Sequence, residues 1–225
     1  MSVDVSTIGA ALIGAIIGSL GSTFLGHYLT RKSEKRQISE KIVKRYLIQF
    51  QDYVESLWFR LANLRHDEGT LVMTEGYLIY TTIYSLAVVL AYKRIMLLEG
   101  LFAEIEHLGI DLPEFKEKLN NLDSILNKMS QKYNEVFQRY HRLGLAELVI
   151  EKREDHLTVQ TYLDFQEQAM KEQKSPSFTM QHATAFIQRL TKDIETQEDL
   201  PKLMDDLKEI SNMLSNITKV KSSIS

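Results

Sequence analysis

Cysteine is absent from this chain, which removes disulfides, thiolate nucleophiles and zinc–thiolate centres. Proline is nearly absent, with 3 in 225 residues, and about half of the 10 glycines fall between Ile8 and Lys32. The remainder is poor in turn formers, which disfavours many short strands and favours long helices. Neither charge sign dominates, the net charge being -3, so nucleic acid is not an expected partner. The patterns G-x-x-x-x-G-K-[ST], G-x-G-x-x-G and G-x-S-x-G are all missing, so neither a phosphate loop nor a nucleophile elbow is supported. No catalytic residue, cofactor or metal is expected, and the reading is non-enzymatic.

What is present begins with an uncharged run from Val5 to Leu29. As a helix this run is about 37 Å long, enough to cross a hydrocarbon core of about 30 Å with some tilt. The leader "MSVDVST" has Asp4 and no Lys or Arg, unlike the basic start of a cleaved signal peptide. A basic stretch follows at once, with Arg31, Lys32, Lys35, Arg36, Lys41, Lys44 and Arg45 against Glu34 and Glu40. The positive-inside bias then places the C-terminal bulk in the cytoplasm of a single-pass cell-membrane protein. Arg31, Lys32, Lys35 and Arg36 are expected to meet anionic lipid head groups, each contributing about 1 kcal/mol close to the surface.

Ala10, Gly14, Gly18, Ser22 and Gly26 recur every fourth residue and form one small-residue stripe on a helix. In lipid such a stripe lets two backbones approach closely, so it reads as a helix–helix contact and the chain as a homo-oligomer.

The rest reads as helices. Ile38, Ile42, Tyr46, Phe50, Tyr53, Leu57, Leu61 and Leu64 keep helical spacing. Tyr77 to Tyr92 is apolar nearly all round; it is short for a second span and reads as a central core helix, extending towards "LFAEIEHLG". "GIDLP" is a turn in which Asp111 caps the next helix. A long helix is predicted from Glu114 to about Glu151, its buried side including Tyr133, Tyr140 and Leu143, with Gly144 bending it or admitting a close neighbour. Thr158 to Gln173 is predicted as a short helix, Thr179 to Gln197 and Leu200 to Val220 as a final antiparallel pair, and "KSSIS" as a fraying tail. The expected fold is all-α: residues 1–30 form an N-terminal tail and transmembrane helix, and residues 31–225 a cytoplasmic multi-helix bundle nearly free of strands.

Few residues carry chemistry. Glu104 and His107 in "EIEH" share a helical face, but a di-iron bundle needs two such pairs and the chain supplies one. "RHDE", Arg65 to Glu68, reads as a surface loop, and His156 and His182 as isolated. In "RYHRLGLAELVIE", Arg139, Arg142, His141 and Glu147 offer interhelical ion pairing or, alternatively, a hold on an anionic ligand, with pairing the expectation.

Three segments, "YVESLWFRLANL" (Tyr53 to Leu64), "YTTIYSLAVVLAYKRIMLLE" (Tyr80 to Glu99) and "FQRYHRLGLAELVI" (Phe137 to Ile150), resemble bacterial single-pass proteins abundant in actinobacteria. The third departs from that group's Gly-Glu-Leu ending, because Leu145 and Ala146 separate Gly144 from Glu147-Leu148. The resemblance implies an N-terminal anchor and an α-helical cytoplasmic domain; it implies no activity and no site residue.

The expected function is therefore that of a membrane-anchored, self-associating scaffold, sensor or accessory subunit that binds lipids, copies of itself and a protein partner. The alternative is an oligomeric pore-forming or membrane-disrupting effector gated by the helical domain.

Overall fold

A computed structural model describes residues 43–65, 75–106, 111–134, 136–154, 156–172, 177–192 and 198–224, with scattered single positions between 31 and 41. The run Val5–Leu29 lies outside the described residues, as do Lys32, Lys35 and Arg36; Arg31 is helical and exposed. The chain divides into two units, Met1–Lys41 and Ile42–Ser225. The described residues of the second unit form eight α-helices and one two-stranded antiparallel sheet.

The unit opens with a single π turn, Val43–Leu47, which leads into α1 (Ile48–Arg65). Tyr46, Phe50, Leu57, Leu61 and Leu64 are buried, as their spacing predicts, and Tyr53 is half-buried. Ile38, expected on the same stripe, is instead 54% exposed.

α2 (Glu75–Leu98) is the centre of the unit and packs on α1 and on several helices further along the chain. Among the described helices it alone is long and apolar enough to cross a membrane, yet 78% of its apolar window is buried inside the protein. Ala87, Val88, Val89, Ala91 and Ile95 are fully buried, consistent with a helix apolar on every side. Two of its polar side chains show how such groups are met: Thr82 Oγ1 donates to the Leu78 carbonyl one turn earlier at 2.7 Å, and Tyr92 Oη donates across to Gln49 Oε1 of α1 at 2.7 Å.

α2 runs through Met96-Leu97-Leu98, as the sequence leads one to expect, but does not continue into "LFAEIEHLG". Gly100, at φ +65°, turns the chain left-handed and starts a separate short helix, α3 (Leu101–Glu106). α4 (Leu112–Lys132) begins as the sequence predicts, with Asp111 Oδ1 accepting the Glu114 N–H at 3.0 Å and Pro113 in the first turn.

The predicted long helix is broken in two. α4 ends at Lys132, Asn134 adopts φ +58°, and α5 spans Arg139–Val149. The corner is held by side chains: Ser130 Oγ accepts the Phe137 N–H at 2.9 Å, and His141 Nδ1 accepts the Gln138 N–H at 3.1 Å. The break changes the helical phase, so Tyr140 and Leu143 are 57% and 39% exposed instead of inward, whereas His141 and Arg142 are buried.

Gly144 does not bend α5; it admits a neighbour. A Cβ there would stand 2.8 Å from Thr179 Oγ1 and 3.5 Å from its Cγ2, whereas one at Gly76 would meet nothing within 4 Å. Gly144→Val should therefore lose at least about 1 kcal/mol of stability through overpacking, while Gly76→Ala should gain about 0.5 kcal/mol from reduced unfolded-state entropy. Denaturant midpoints of the two variants check the contrast.

Strands appear where none was expected. β1 (Ile150–Arg153) pairs with β2 (His156–Val159) in the register Ile150↔Val159 to Arg153↔His156. Glu154, at φ +54°, makes the tight turn. Leu157 N donates to Glu99 Oε1 at 3.1 Å and its carbonyl accepts from Tyr46 Oη at 3.2 Å, so the hairpin is tied to the helices. α6 (Tyr162–Glu172) accordingly starts later than predicted, still turning Phe165 and Ala169 inward.

α7 (Phe178–Lys192) and α8 (Asp199–Thr218) do not pack chiefly on each other: α7 lies on α5 and α2, and α8 on α1 and α4. The tail is docked rather than frayed. After Lys219 turns at φ +61°, Ser222 and Ile224 are buried. Ser223 N donates to Glu55 Oε2 at 3.2 Å, and its hydroxyl donates to the same oxygen.

Candidate functional site

The cleft worth weighing for function lies between α2, α3, α4 and α5 and has a volume of about 360 Å³. Each long helix contributes a stripe at helical spacing. α2 supplies Leu90, Lys93, Arg94 and Leu97; α4 supplies Lys116, Leu119, Asn120 and Asp123; α5 supplies Arg139, Arg142, Leu143 and Ala146; α3 adds Phe102. The i, i+3, i+4, i+7 pattern that normally faces a core here encloses a space. Five cationic side chains line it against one carboxylate, in a chain whose net charge is -3.

These charges are not equally committed. Lys93 Nζ is tied to Asp123 Oδ2 and also donates to the Leu119 carbonyl at 2.8 Å. Arg142 is only 4% exposed. One of its terminal nitrogens donates to the Phe137 carbonyl at 2.9 Å, but its Nε has no hydrogen-bond partner, because Asp123 Oδ1 stands 3.7 Å away. Arg94 Nε is also buried and unpartnered, and its guanidinium reaches Glu147 only at 3.9 Å. Arg139 is exposed, and Lys116 Nζ sits 5.1 Å from the centre of the Phe102 ring.

Burial pushes the Arg142 guanidinium below its ordinary value, Asp123 pulls it back up, and Arg139 opposes Asp123. An arginine in this setting stays charged. Leaving a buried guanidinium edge without an acceptor is costly, and such unsatisfied groups concentrate at functional sites. Arg94 and Arg142 both line the cleft, where an oxyanion could accept from their guanidinium groups.

Catalytic equipment is sparse at the cleft. Among its described lining residues there is no Ser, Thr, Tyr or His, and the single carboxylate is held by Lys93. Electrostatic binding of an anion is thus within its means.

The expectations for individual residues divide. Arg139 and Arg142 do come together, but Arg142 faces Asp123 rather than Glu147, whose partner is Arg94. His141 points away from the cleft and stacks on His182, with ring centres 3.9 Å apart and planes 12° apart, so His182 is not isolated. Burial lowers the His141 pKa, and the neighbouring His182 and Arg142 lower it further. His182 Nδ1 is 2.6 Å from the Val136 carbonyl. His107 and the stretch His66–Glu68 lie outside the described residues, as does the Glu104 side chain. Among the described residues no three His, Asp or Glu side chains gather as metal ligands. The stripe of Ala10, Gly14, Gly18, Ser22 and Gly26 is outside the described residues.

Lys93, Arg94, Lys116 and Asp123 were not predicted as site residues. Lys93-Arg94 carries a local signal, two charges ending an apolar helix; Lys116 and Asp123 carry none, because only the convergence of α2, α4 and α5 gives them a role. No family model, curated protein or solved structure matches the chain, so the resemblance to single-pass actinobacterial proteins rests on its three segments alone.

Proposed function

We propose that this chain is a non-enzymatic, membrane-anchored helical sensor that takes up a small anion in the cleft between α2, α3, α4 and α5. The observation that carries the reading is Arg142: a guanidinium 4% exposed, lining an open cleft, whose Nε has no hydrogen-bond acceptor among the described residues, Asp123 standing 3.7 Å away. Filling that space with an oxyanion would tie α2 to α5 across the Arg94–Arg142 gap, and ligand binding of this kind stabilises the folded unit by mass action. The uncharged run Val5–Leu29 and its basic flank support attachment to the inner face of a cell membrane, with Arg31, Lys32, Lys35 and Arg36 meeting lipid head groups. The small-residue stripe supports self-association, through which occupancy of the cleft would be passed to other copies or to a protein partner.

Calorimetric titration of the full chain in phosphatidylcholine nanodiscs tests the reading, with inorganic phosphate, pyrophosphate and an alkyl phosphate as probes. Saturable binding is expected, accompanied by a higher thermal midpoint, and Arg139→Gln should weaken it by about tenfold. If no member of the panel saturates, or if the variant binds as well as the parent, the cleft is not an anion sensor.

A further inference from the structure

We infer that the ligand of the cleft is an amphipathic phosphate monoester, a phosphate head joined to a short aliphatic body. This rests on the anion-sensing reading and adds the ligand's chemical class.

The head follows from the charge left over. Asp123 is held by Lys93 and its other oxygen stands 3.7 Å from the Arg142 Nε, and Glu147 approaches Arg94 only at 3.9 Å, so one carboxylate serves two of the five cations, and Arg94, Arg139 and Lys116 complete the cationic lining of the cleft. Several cations converging on one small space match a group that carries nearly two negative charges at neutral pH, as a phosphate monoester does. One terminal nitrogen of Arg142 donates to the Phe137 carbonyl, while its Nε has no hydrogen-bond partner among the described residues.

The body follows from the walls. Leu97 at 60% exposure and Leu143 at 39% stand beside the cations, with the partly buried Phe102 at the same opening. Leu90, Leu119 and Ala146 continue the apolar lining inward. A wholly polar anion would satisfy the arginines and leave these leucines in water. A chain attached to the phosphate covers them, and burial of several methylenes there should tighten binding by about ten- to a hundredfold over inorganic phosphate.

The test compares inorganic phosphate, hexanol and hexyl phosphate on the full chain in phosphatidylcholine nanodiscs. Hexyl phosphate should bind at least tenfold more tightly than either fragment. Arg139→Gln, at an exposed position, should weaken it about tenfold, as should Arg142→Met. Leu143→Asp should weaken hexyl phosphate while leaving inorganic phosphate within about twofold. Equal affinity for hexyl phosphate and inorganic phosphate overturns the amphipathic assignment and leaves the anion-sensing reading standing. Absence of binding by both, or binding that Arg139→Gln leaves intact, overturns the two together. A further arm adds phosphatidate to the nanodisc: displacement of hexyl phosphate assigns a lipid head group as the source, and undiminished binding assigns a free molecule, either outcome carrying the ligand class.

Discussion

Glu55→Ala should lower the stability of the helical unit by about 3 kcal/mol and release the C-terminal segment from its surface. Glu55 is 8% exposed and faces donors only: Gln51 Nε2 at 3.1 Å, Ser211 Oγ at 2.6 Å, and the backbone and hydroxyl of Ser223. Ser211 in turn contacts Ser222 at 2.9 Å, and Gln51 Nε2 donates to the Val220 carbonyl at 3.2 Å. One carboxylate thus joins α1, α8 and the tail. Removing it takes the shared acceptor from the buried Gln51 and Ser211 and from Ser223, and each buried donor left short of an acceptor costs about 1–3 kcal/mol unless water reaches it. For a chain of this size the thermal midpoint should fall by roughly 6–12 °C, and the Ser223 amide should lose its protection from hydrogen exchange.

Acid should act on the same group. Burial alone would raise the Glu55 pKa, but the hydrogen bonds from Ser211, Ser223 and Gln51 outweigh it and hold the carboxyl below its ordinary value of 4.5. Its contribution is therefore complete above pH 4.5 and lost as pH falls through the lower folded-state value. Glu55→Gln keeps one acceptor, so it should show a smaller loss at neutral pH and little further loss from this site in acid. A tail still protected in Glu55→Ala would mean that something other than the carboxylate holds it.

That latch shows why part of this fold was hidden in the sequence. "KSSIS" has the composition of a frayed end, and its anchor lies 168 residues earlier in the chain. Local pattern reports α1, the buried character of α2 and the Asp111 cap well, because each depends on neighbours within a turn or two. It fails at the α4–α5 corner, where neither glycine nor proline marks the break and Asn134 supplies the left-handed residue. It also fails at the hairpin, whose Ile150, Thr158 and Val159 favour strands but are too few to outweigh the helical periodicity before them. The cleft sits between these cases. Arg139 and Arg142 stood out in one run of sequence as either an ion-pair set or an anion site. That Asp123 arrives from α4, is held by Lys93 of α2 and stands 3.7 Å from Arg142 was not legible in that run.

Asp206→Asn should stabilise the protein at neutral pH, by about 2–3 kcal/mol, although it removes a charge and adds no contact. Asp206 is on α8, 7% exposed, and its Oδ2 is buried without a hydrogen-bond partner. The cation that acts on it is Lys118 of α4, which is engaged by Glu209. Burial raises the Asp206 pKa to about 6; Lys118 works against that rise and Glu209 adds to it. Because the folded value lies above the unfolded one of 3.8, the native state takes up the proton more readily. The resulting stabilisation is fully present below pH 3.8 and is lost as pH rises through 6, so at pH 7 the ionised side chain burdens the α4–α8 contact. Asparagine has the shape of the protonated acid and cannot ionise, so the variant keeps the low-pH stability at every pH. The stability difference between variant and parent should be close to zero at pH 4 and grow through pH 6 to its full value at pH 7.5. Taking that difference cancels groups such as Glu55 and His141, which titrate alike in both proteins. A difference that does not change with pH would mean that Asp206 is protonated, or solvated, equally in the folded and unfolded chain. In that case the packing of α8 on α4 would owe nothing to the ionisation of this carboxyl.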